Sequence, residues 1–258
     1  MIVTDHIGHQ FLLEKPPIRI VSLVPSITEL LHDLNLSDQI VGRTKFCIYP
    51  EGGYPKAKII GGTKNVHIDL VLALKPDLII ANKEENVKEQ IESLQSYCNT
   101  FTTEIKNVND AIAMISTLGI ITGRKKESGE LVEKISAART APLANPTKVC
   151  YLIWQKPYMT VGADTYIFNF LKEFDFINCL PLSLRYPEIT LEEIIEHSPS
   201  IILLSSEPFP FKSSHAEDLK QKTGIPTMLI DGSYCSWYGS RLLPAYNYMK
   251  SLRQQIMS

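Results

Sequence analysis

The feature that most constrains the fold is a succession of helix, proline and strand that occurs twice in the chain. The first copy reads HIDLVLALKPDLIIA and the second reads TLEEIIEHSPSIILL. When the copies are aligned, Asp69 matches Glu192 at an offset of 123 residues, and the two prolines match at the same offset. In both copies an apolar run follows the proline, which is typical of a buried parallel strand. The repeat therefore predicts two lobes of related topology.

Strand and helix signals alternate on both sides of a helical stretch. In the first half, IRIVSLV, QIVGR, AKII, DLIIA and CNTFTT predict short strands, and SITELLHDLNL and EENVKEQIESL predict amphipathic helices. In the second half, KVCYLIW, SIILLSS and TMLID predict strands with helical segments between and after them. This alternation is typical of parallel sheets covered by helices.

Two helices carry the pattern of a capping box, a Ser or Thr followed three residues later by Glu. Ser26 with Glu29 predicts the start of the first helix, and Thr190 with Glu193 predicts the start of the helix in the second repeat copy. In each case we expect the hydroxyl to accept a hydrogen bond from a backbone N–H in the first helical turn.

Strand signals stop between Val108 and about Ala141, where apolar residues keep a helical spacing. Gly119 and Gly123 predict a bend or a break within this stretch. We therefore expect an α/β protein of two Rossmann-like lobes with parallel sheets, joined by a long helix. The expected boundaries are 1–106 for the N-terminal lobe, 107–144 for the helical linker and 145–258 for the C-terminal lobe.

Composition and charge exclude several classes of function. The formal net charge of −2 gives no basic footprint for nucleic acid or for an anionic membrane surface. No apolar run reaches the roughly 18 residues of a membrane span, and MIVTDHIGHQFLLEKPP has no signal-peptide pattern. We expect a cytoplasmic protein as the chain is written, or a periplasmic or membrane-anchored one if an export signal was removed.

The cysteines and histidines give little indication of catalysis or of a metal site. Five cysteines without CxxC spacing are expected to be reduced and mostly buried, and the six scattered histidines have no metal-ligand spacing. GGTKN lacks the spacing of a P-loop, and no GxSxG or HExxH motif occurs. We do not expect an enzyme, although Cys47 or Cys235 beside lysines, or Glu and Lys side chains in loops, stay open as an alternative.

Polar and aromatic residues gather directly after the predicted strands. In open parallel sheets, ligands bind beyond the carboxyl ends of the strands. The loops of the first half supply lysines and asparagines, and those of the second half supply aromatic side chains, which bury large areas. Each lysine alone is equally well explained by a solvated loop. The candidate ligand-binding residues are Pro25, Ser26, Lys45, Phe46, Lys64, Asn65, Lys83, Glu84, Glu85, Trp154, Lys156, Tyr186, Glu207, Phe209, Trp237, Tyr238 and Arg241.

The motifs RIVSLVPSITELL and LKPDLII, in the order and spacing seen here, resemble a known family. It comprises the substrate-binding proteins of ABC importers for vitamin B12 and iron–siderophores, the helical-backbone metal receptors. The resemblance covers nearly the whole chain. It implies two α/β lobes bridged by one long backbone helix, no intrinsic cofactor, and a ligand between the lobes. The implied ligand is a metal chelate such as a corrinoid, a ferric siderophore or a haem-like molecule.

The resemblance also implies a partner, an ABC permease. In this family a carboxylate at the front of an equivalent helix in each lobe docks onto permease arginines, and these positions fall on Asp69 and Glu192. The alternative is that both acids only favour the N-terminal end of a helix dipole.

The chain departs from the family pattern at the ligand. Lys64, Asn82 and Tyr186 stand where the cobalamin-binding members that align have tryptophans, which weakens flat stacking on a corrin. Cations outnumber carboxylates in the candidate loops and favour an anionic ligand. The cations are Arg43, Lys45, Lys64, Lys83, Lys156, Lys212 and Arg241, and the carboxylates are Glu84, Glu85 and Glu207. A cytoplasmic relative with a sensing, carrier or enzymatic role is the alternative to the importer.

Overall fold

The computed structural model describes residues 1–139 and 146–257. The chain divides into two units, each built around a parallel sheet. Unit 1 comprises Met1–Ile105, Asn109–Ile135 and Tyr238–Arg241, and unit 2 comprises Lys106–Val108, Ser136–Trp237 and Leu242–Ser258.

Unit 1 contains a hairpin and a five-stranded sheet. Its strands are β1 (Ile2–Thr4), β2 (Gln10–Leu12), β3 (Ile20–Ser22), β4 (Ile40–Arg43), β5 (Lys58–Ile59), β6 (Leu78–Asn82) and β7 (Thr100–Thr103). The first two pair antiparallel, and the other five form a parallel sheet in the order β5-β4-β3-β6-β7. Its helices are α1 (Pro25–Asp33), α2 (Ile68–Ala73) and α3 (Lys88–Gln95), and the 3₁₀ turn Ser37–Gln39 follows α1.

The predicted helical stretch forms two helices, α4 (Val108–Ile121) and α5 (Lys125–Ala138). The break that the glycines predict is confirmed, because the helices are divided at residues 122–124 and Gly123 has a φ of 73°. Gly119 is required by close packing, since a Cβ there would lie 1.9 Å from Ser128 Oγ. The expected boundary between residues 144 and 145 lies outside the described residues, as does the chain end at Ser258.

Unit 2 contains a four-stranded parallel sheet. Its strands are β8 (Thr147–Leu152), β9 (Phe176–Asn178), β10 (Ile201–Ser205) and β11 (Thr227–Ile230), in the order β11-β10-β8-β9. Its helices are α6 (Tyr166–Lys172), α7 (Leu191–His197), α8 (Ser213–Thr223), α9 (Ser233–Ser236) and α10 (Leu242–Met257). The predicted α/β fold with parallel sheets in two lobes is confirmed.

The central strands form the cores of the two units. All five residues of β6 and all five of β10 are buried, as expected for strands covered by helices on both faces. One face of the first sheet packs against Val71 and Leu94. The corresponding face of the second sheet packs against Ile194 and Leu219.

The repeat continues into the backbone geometry. Strand β10 begins and ends 123 residues after β6, and α7 begins 123 residues after α2. Each helix is followed by a residue in the left-handed region, Lys75 and Ser198, both with a φ of 47°. Because this pair also has the 123-residue offset, the two copies end their helices with the same backbone conformation.

The prediction that Ser26 caps α1 is wrong. The helix begins at Pro25 with Val24 as its N-cap, and no side chain provides a capping hydrogen bond. Proline favours this position because its fixed φ suits the first helical residue. An N–H group there has no acceptor within the helix, so its absence in proline costs no hydrogen bond. The second capping box is confirmed: Glu193 N donates to Thr190 Oγ1 at 3.2 Å, and Thr190 N donates to Glu193 Oε2 at 2.7 Å.

Candidate ligand-binding rims

Two groups of candidate residues lie mainly on the segments that follow the strands, one group in each unit, and the separate segment Tyr238–Arg241 adds two residues to the group of unit 1. Rim 1, in unit 1, consists of Pro25, Ser26, Lys45, Phe46, Lys64, Asn65, Lys83, Glu84, Glu85, Tyr238 and Arg241. Rim 2, in unit 2, consists of Trp154, Lys156, Tyr186, Glu207, Phe209 and Trp237. The strands of each sheet are parallel, so their following loops meet at one edge of that sheet.

Two buried asparagines hold the loops of rim 1 together. Asn82 Oδ1 accepts hydrogen bonds from the backbone N–H groups of Glu84 at 2.8 Å and Glu85 at 3.1 Å. Asn86 Oδ1 accepts one from Asn82 N at 2.8 Å, and Asn86 Nδ2 donates to Thr63 O at 3.0 Å. Asn82 is only 3% exposed, so it shapes the loop from within. Sequence reasoning missed Asn86, whose position after a polar loop gave no sign of burial.

Several cations of rim 1 already have partners. Lys83 Nζ lies 2.9 Å from Glu104 Oε1, and Lys64 Nζ donates to the carbonyl of Glu84 at 2.5 Å. Arg241 forms a two-pronged pair with Glu29, with Nε 2.9 Å from Oε2. Glu104 and Glu29 offset the positive charge of Lys83 and Arg241, whereas Lys64, bonded to a neutral carbonyl, keeps its charge. Glu29 was assigned to a capping box from sequence and instead neutralises this arginine.

The remaining side chains of rim 1 differ in exposure. Pro25 and Ser26 are buried in the first turn of α1. Lys45 and Phe46 are exposed, and the Lys45 ammonium lies 5.1 Å from the centroid of the Phe46 ring. Asn65 is exposed, and its carbonyl accepts a hydrogen bond from Gly62 N at 2.9 Å. Phe46 is therefore an aromatic surface of rim 1 that a ligand can reach.

A buried tyrosine presents its hydroxyl to a rim 1 carboxylate. Tyr238 is 6% exposed, and its hydroxyl donates to Glu85 Oε1 at 3.0 Å. Burial raises the pKa of Tyr238 well above its ordinary value, so the hydroxyl stays protonated and remains a donor. Gly239 follows with a φ of 109°, and a Cβ there would lie 3.2 Å from Ser26 O. This close approach brings the tyrosine segment against α1.

Rim 2 is aromatic. Trp154 follows β8 and meets Phe209, which follows β10, edge to face with 5.6 Å between ring centroids. Phe209 also meets Phe211 at 4.7 Å. Trp154 is 40% exposed. Trp154 and Phe209 thus form an apolar surface, and Phe211, which is buried in the core, supports Phe209 from below.

A carboxylate holds the second tryptophan of rim 2. Glu207 Oε1 accepts hydrogen bonds from Trp237 Nε1 at 2.8 Å and from Ser236 Oγ at 2.5 Å. The Glu207 carbonyl accepts one from Ser205 Oγ at 2.5 Å, and Tyr151 OH donates to that hydroxyl at 3.1 Å. Burial raises the pKa of Tyr151 well above its ordinary value. Hydrogen bonds from the core thus hold the backbone of Glu207, and the Glu207 carboxylate orients the indole ring of Trp237.

Lys156 and Tyr186 complete rim 2. Lys156 is exposed at the tip of a tight turn whose arms pair at Trp154 and Met159, and its φ is 65°. Tyr186 is half-buried, and the Arg185 guanidinium lies 5.6 Å from the centroid of its ring. Gly162 N donates to Arg185 O at 2.7 Å, which anchors the loop that carries the tyrosine.

The two candidate docking acids occupy equivalent places in the two units. Asp69 and Glu192 are each the second residue of their helices, α2 and α7, and both are exposed. Their side chains are therefore accessible on the surface of their own unit.

The two cysteines considered as nucleophiles are poorly suited to that role. Cys47 is 1% exposed and Cys235 is 0% exposed. Burial raises the pKa of Cys47 and raises that of Cys235 to about 12. Since the thiolate is the reactive form, neither thiol is activated near neutral pH.

Residues 1–139 and 146–257, which the structure describes, contain neither a candidate metal-binding cluster nor a candidate membrane-spanning helix. Across these ranges, no cluster of three or more His, Cys, Asp or Glu side chains is arranged to hold a metal ion. In the same part of the chain, no helix combines the length and apolar character needed to cross a membrane.

The profile of the periplasmic binding protein family matches residues 20–228. The chain belongs to this family. Among curated relatives, the uncharacterized ABC transporter substrate-binding lipoprotein YvrC of Bacillus subtilis is 26% identical over 216 residues, covering 78% of this chain and 68% of the relative. The vitamin B12-binding protein of Pectobacterium atrosepticum is 24% identical over 245 residues, covering 89% of this chain and 86% of the relative.

A solved structure supports the same fold. The periplasmic vitamin B12 binding protein BtuF of Vibrio cholerae superimposes with a TM-score of 0.80 at 20% identity, covering 94% of this chain and 99% of that one. At this identity the likeness establishes the fold of this periplasmic binding protein. Its ligand has to be inferred from the chemistry of its own rims.

Proposed function

We propose that this periplasmic binding protein is the substrate-binding component of an ABC importer, and that it binds a metal chelate with a broad apolar face. A corrinoid, haem or a ferric siderophore is the class of ligand. The observation that carries the proposal is the aromatic surface of rim 2. There Trp154 and Phe209 are in contact, and Trp237 is oriented by Glu207.

The chemistry of the rims favours an apolar face over charge as the main source of affinity. Aromatic rings of this kind bury large areas and lose little entropy when a ligand orders them. The pairing of Lys83 with Glu104 and of Arg241 with Glu29 lowers the number of cations that an anionic ligand could recruit. Lys156 is exposed beside Trp154 and would hold a carboxylate at the edge of the chelate.

The first test is a fluorescence titration with cyanocobalamin, haem and a panel of ferric siderophores. The chain has two tryptophans, and both lie on rim 2. One of these ligands is expected to quench the emission saturably. Trp237→Ala is expected to weaken its binding by about tenfold or more, as for removal of an aromatic anchor. The single-tryptophan variants Trp154→Phe and Trp237→Phe assign the quenching to each ring.

Tyr97→Ala is the matched control, because Tyr97 is an aromatic residue of unit 1 that is 71% exposed and lies outside both rims. It should leave the affinity unchanged. The proposal fails if none of the three ligand classes binds. It also fails if a ligand binds equally well to wild type and to a variant that lacks both tryptophans.

We further propose that Asp69 and Glu192 dock onto the permease. Their equivalent, exposed positions in α2 and α7 support this role. Asp69→Lys and Glu192→Lys are expected to abolish uptake of the ligand by the source cells while its binding to the purified protein stays unchanged. Glu196→Lys, an exposed acid at the other end of α7, is the control. Normal uptake with both reversals combined would refute docking through these acids.

An importer component of this kind works outside the cytoplasmic membrane, and we propose that location for the mature protein. The lipoprotein relative in Bacillus subtilis supports it. Cell fractionation with an antibody to this chain is the direct measurement. Recovery in the cytosolic fraction alone would instead favour a cytoplasmic carrier or sensor with the same fold.

A further inference from the structure

Two of the five cysteines lie side by side in unit 2, Cys150 on strand β8 and Cys179 directly after strand β9. Strands β8 and β9 are parallel, with Val149 opposite Asn178, and Cys179 N donates to Val149 O at 2.8 Å. Cys150 directly follows Val149, and Cys179 directly follows Asn178. Both belong to the core cluster on one face of the sheet, with exposures of 0% and 1%. Their side chains therefore point to the same face from adjacent positions.

The two thiols are close enough to influence each other's ionisation. The neighbouring thiol raises the pKa of Cys150 and lowers that of Cys179. The lowered pKa makes Cys179 the better nucleophile of the pair. Cys235 differs, because its Sγ lies 3.6 Å from Met249 Sδ, a sulfur that forms no disulfide.

We propose that Cys150 and Cys179 are a modification site that forms an intrachain disulfide when the protein meets a thiol-oxidising environment. Neighbouring strands are about 4.8 Å apart, which lies within the Cα separation of roughly 4.4 to 6.8 Å that a disulfide spans. The bond would connect the edge strand β9 to β8 without a large movement of either strand.

The oxidant is a low-molecular-weight disulfide or a disulfide-exchange protein. The Cys179 thiolate attacks one sulfur of the oxidant's disulfide, forming a mixed disulfide and releasing one thiolate. The Cys150 thiolate then attacks Cys179 Sγ and releases the second thiolate. The protein loses two protons and two electrons, and the oxidant is reduced to two thiols. The pair is expected to stay reduced in a compartment rich in thiols.

The disulfide would lie at the start of the loop that carries Tyr186. Cys179 begins this loop, which is anchored further along by the hydrogen bonds of Ala163 N to Ser183 O at 2.7 Å and of Gly162 N to Arg185 O. A disulfide restricts the unfolded chain and holds this edge of the sheet. The proposal does not depend on the identity of the ligand.

The test treats the reduced, full-length protein with oxidised glutathione, both in its native state and during refolding from denaturant. The refolding arm removes burial as a barrier to reaction. The intact protein is expected to lose the mass of two hydrogen atoms, and a non-reducing peptide map is expected to join the peptides that contain Cys150 and Cys179. The thermal midpoint should rise by about 5 °C on oxidation and return on reduction.

Cys150→Ser should trap a glutathione adduct on Cys179 and prevent the rise. Cys235→Ser and Cys98→Ser are the controls, one buried and one partly exposed, and both should still form the bond. The proposal is overturned if alkylation and mapping recover Cys150 and Cys179 as free thiols in both arms. It is also overturned if either cysteine is joined to Cys47, Cys98 or Cys235 instead.

Discussion

Units 1 and 2 use the same strand–helix framework to carry different surfaces. Strands β6 and β10 lie 123 residues apart, and the residues that end them are Asn82 in unit 1 and Ser205 in unit 2. Both side chains hold the loop that follows. In unit 1 that loop is polar, with Lys83, Glu84 and Glu85, whereas in unit 2 it leads to Phe209 and borders Trp237.

The difference shows how the two rims are stabilised. Rim 1 depends on amide side chains that bond several backbone groups at once. Rim 2 depends on a hydroxyl chain from Tyr151 through Ser205 and on contacts between aromatic rings. Hydrogen-bonded loops present charge and donors, while ring packing presents apolar area, so each form of support suits the surface that it carries.

The largest expected effect is a difference in stability between substitutions of Asn82 and Ser205, the residues that end β6 and β10. Asn82→Ala should lower the free energy of unfolding by about 3 kcal/mol, because two partly buried backbone N–H groups and the buried Thr103 Oγ1 lose their partner. Ser205→Ala, at the equivalent position, should cost about 1 kcal/mol. Chemical denaturation measures both. Asn82→Asp keeps the accepting oxygen and should recover most of the loss. Equal costs at the two positions would remove the proposed difference.

A second effect compares the buried thiols of the two units at alkaline pH. A thiol whose folded pKa lies above its unfolded value stabilises the protein below the unfolded pKa, and that stability is lost as pH rises towards the folded pKa. For Cys235 this range runs from about 9 to about 12. Relative to Cys235→Ser, the wild type should lose about 1.4 kcal/mol for each pH unit above 9.

The matched variant in unit 1 is Cys47→Ser. Hydrogen bonds from Thr28 and Thr44 partly oppose the upward shift of the Cys47 pKa, so the loss of stability due to Cys47 should level off at a lower pH than the loss due to Cys235. Denaturation curves at several pH values from 8 upwards measure both losses. A Cys235→Ser variant that loses stability in parallel with wild type would contradict the assignment.

The smallest effect concerns the two equivalent helix starts. Thr190 caps α7 through Glu193 N, while His67, at the same place before α2, makes no side-chain cap. Thr190→Ala should therefore cost about 1 kcal/mol, and His67→Ala should cost close to nothing. Thermal unfolding followed by circular dichroism resolves the two. A comparable loss at His67 would mean that the helix starts are supported alike.

Sequence reasoning predicted the parts of the fold that depend on local patterns. The repeat gave the central strands, and the Thr190 capping box followed from residues three positions apart. It missed β9 and α9, which span three and four residues and are too short for a periodic pattern. It also assigned a cap to Ser26, where the preference of Pro25 for the first helical position decides where the helix begins.

The charge of the rims was the harder property to predict. The partner of Lys83 is Glu104, and the partner of Arg241 is Glu29, 212 residues away along the chain. Such pairing depends on tertiary structure, which a count of charges in loops does not include. The aromatic residues of rim 2 were easier to identify, because prolines and glycines around them marked loops at strand ends.

The left-handed residues Lys75 and Ser198 have a practical consequence for protein engineering. Both end a helix just before a proline, and both place a side chain in a conformation that glycine adopts without strain. Glycine at either position would remove this strain from the folded state, but it would also make the unfolded chain more flexible. These two effects oppose each other, so the free energy of unfolding should change by a few tenths to about 1 kcal/mol. The repeat thus supplies two equivalent positions, outside both rims, at which the stability of each unit can be adjusted independently.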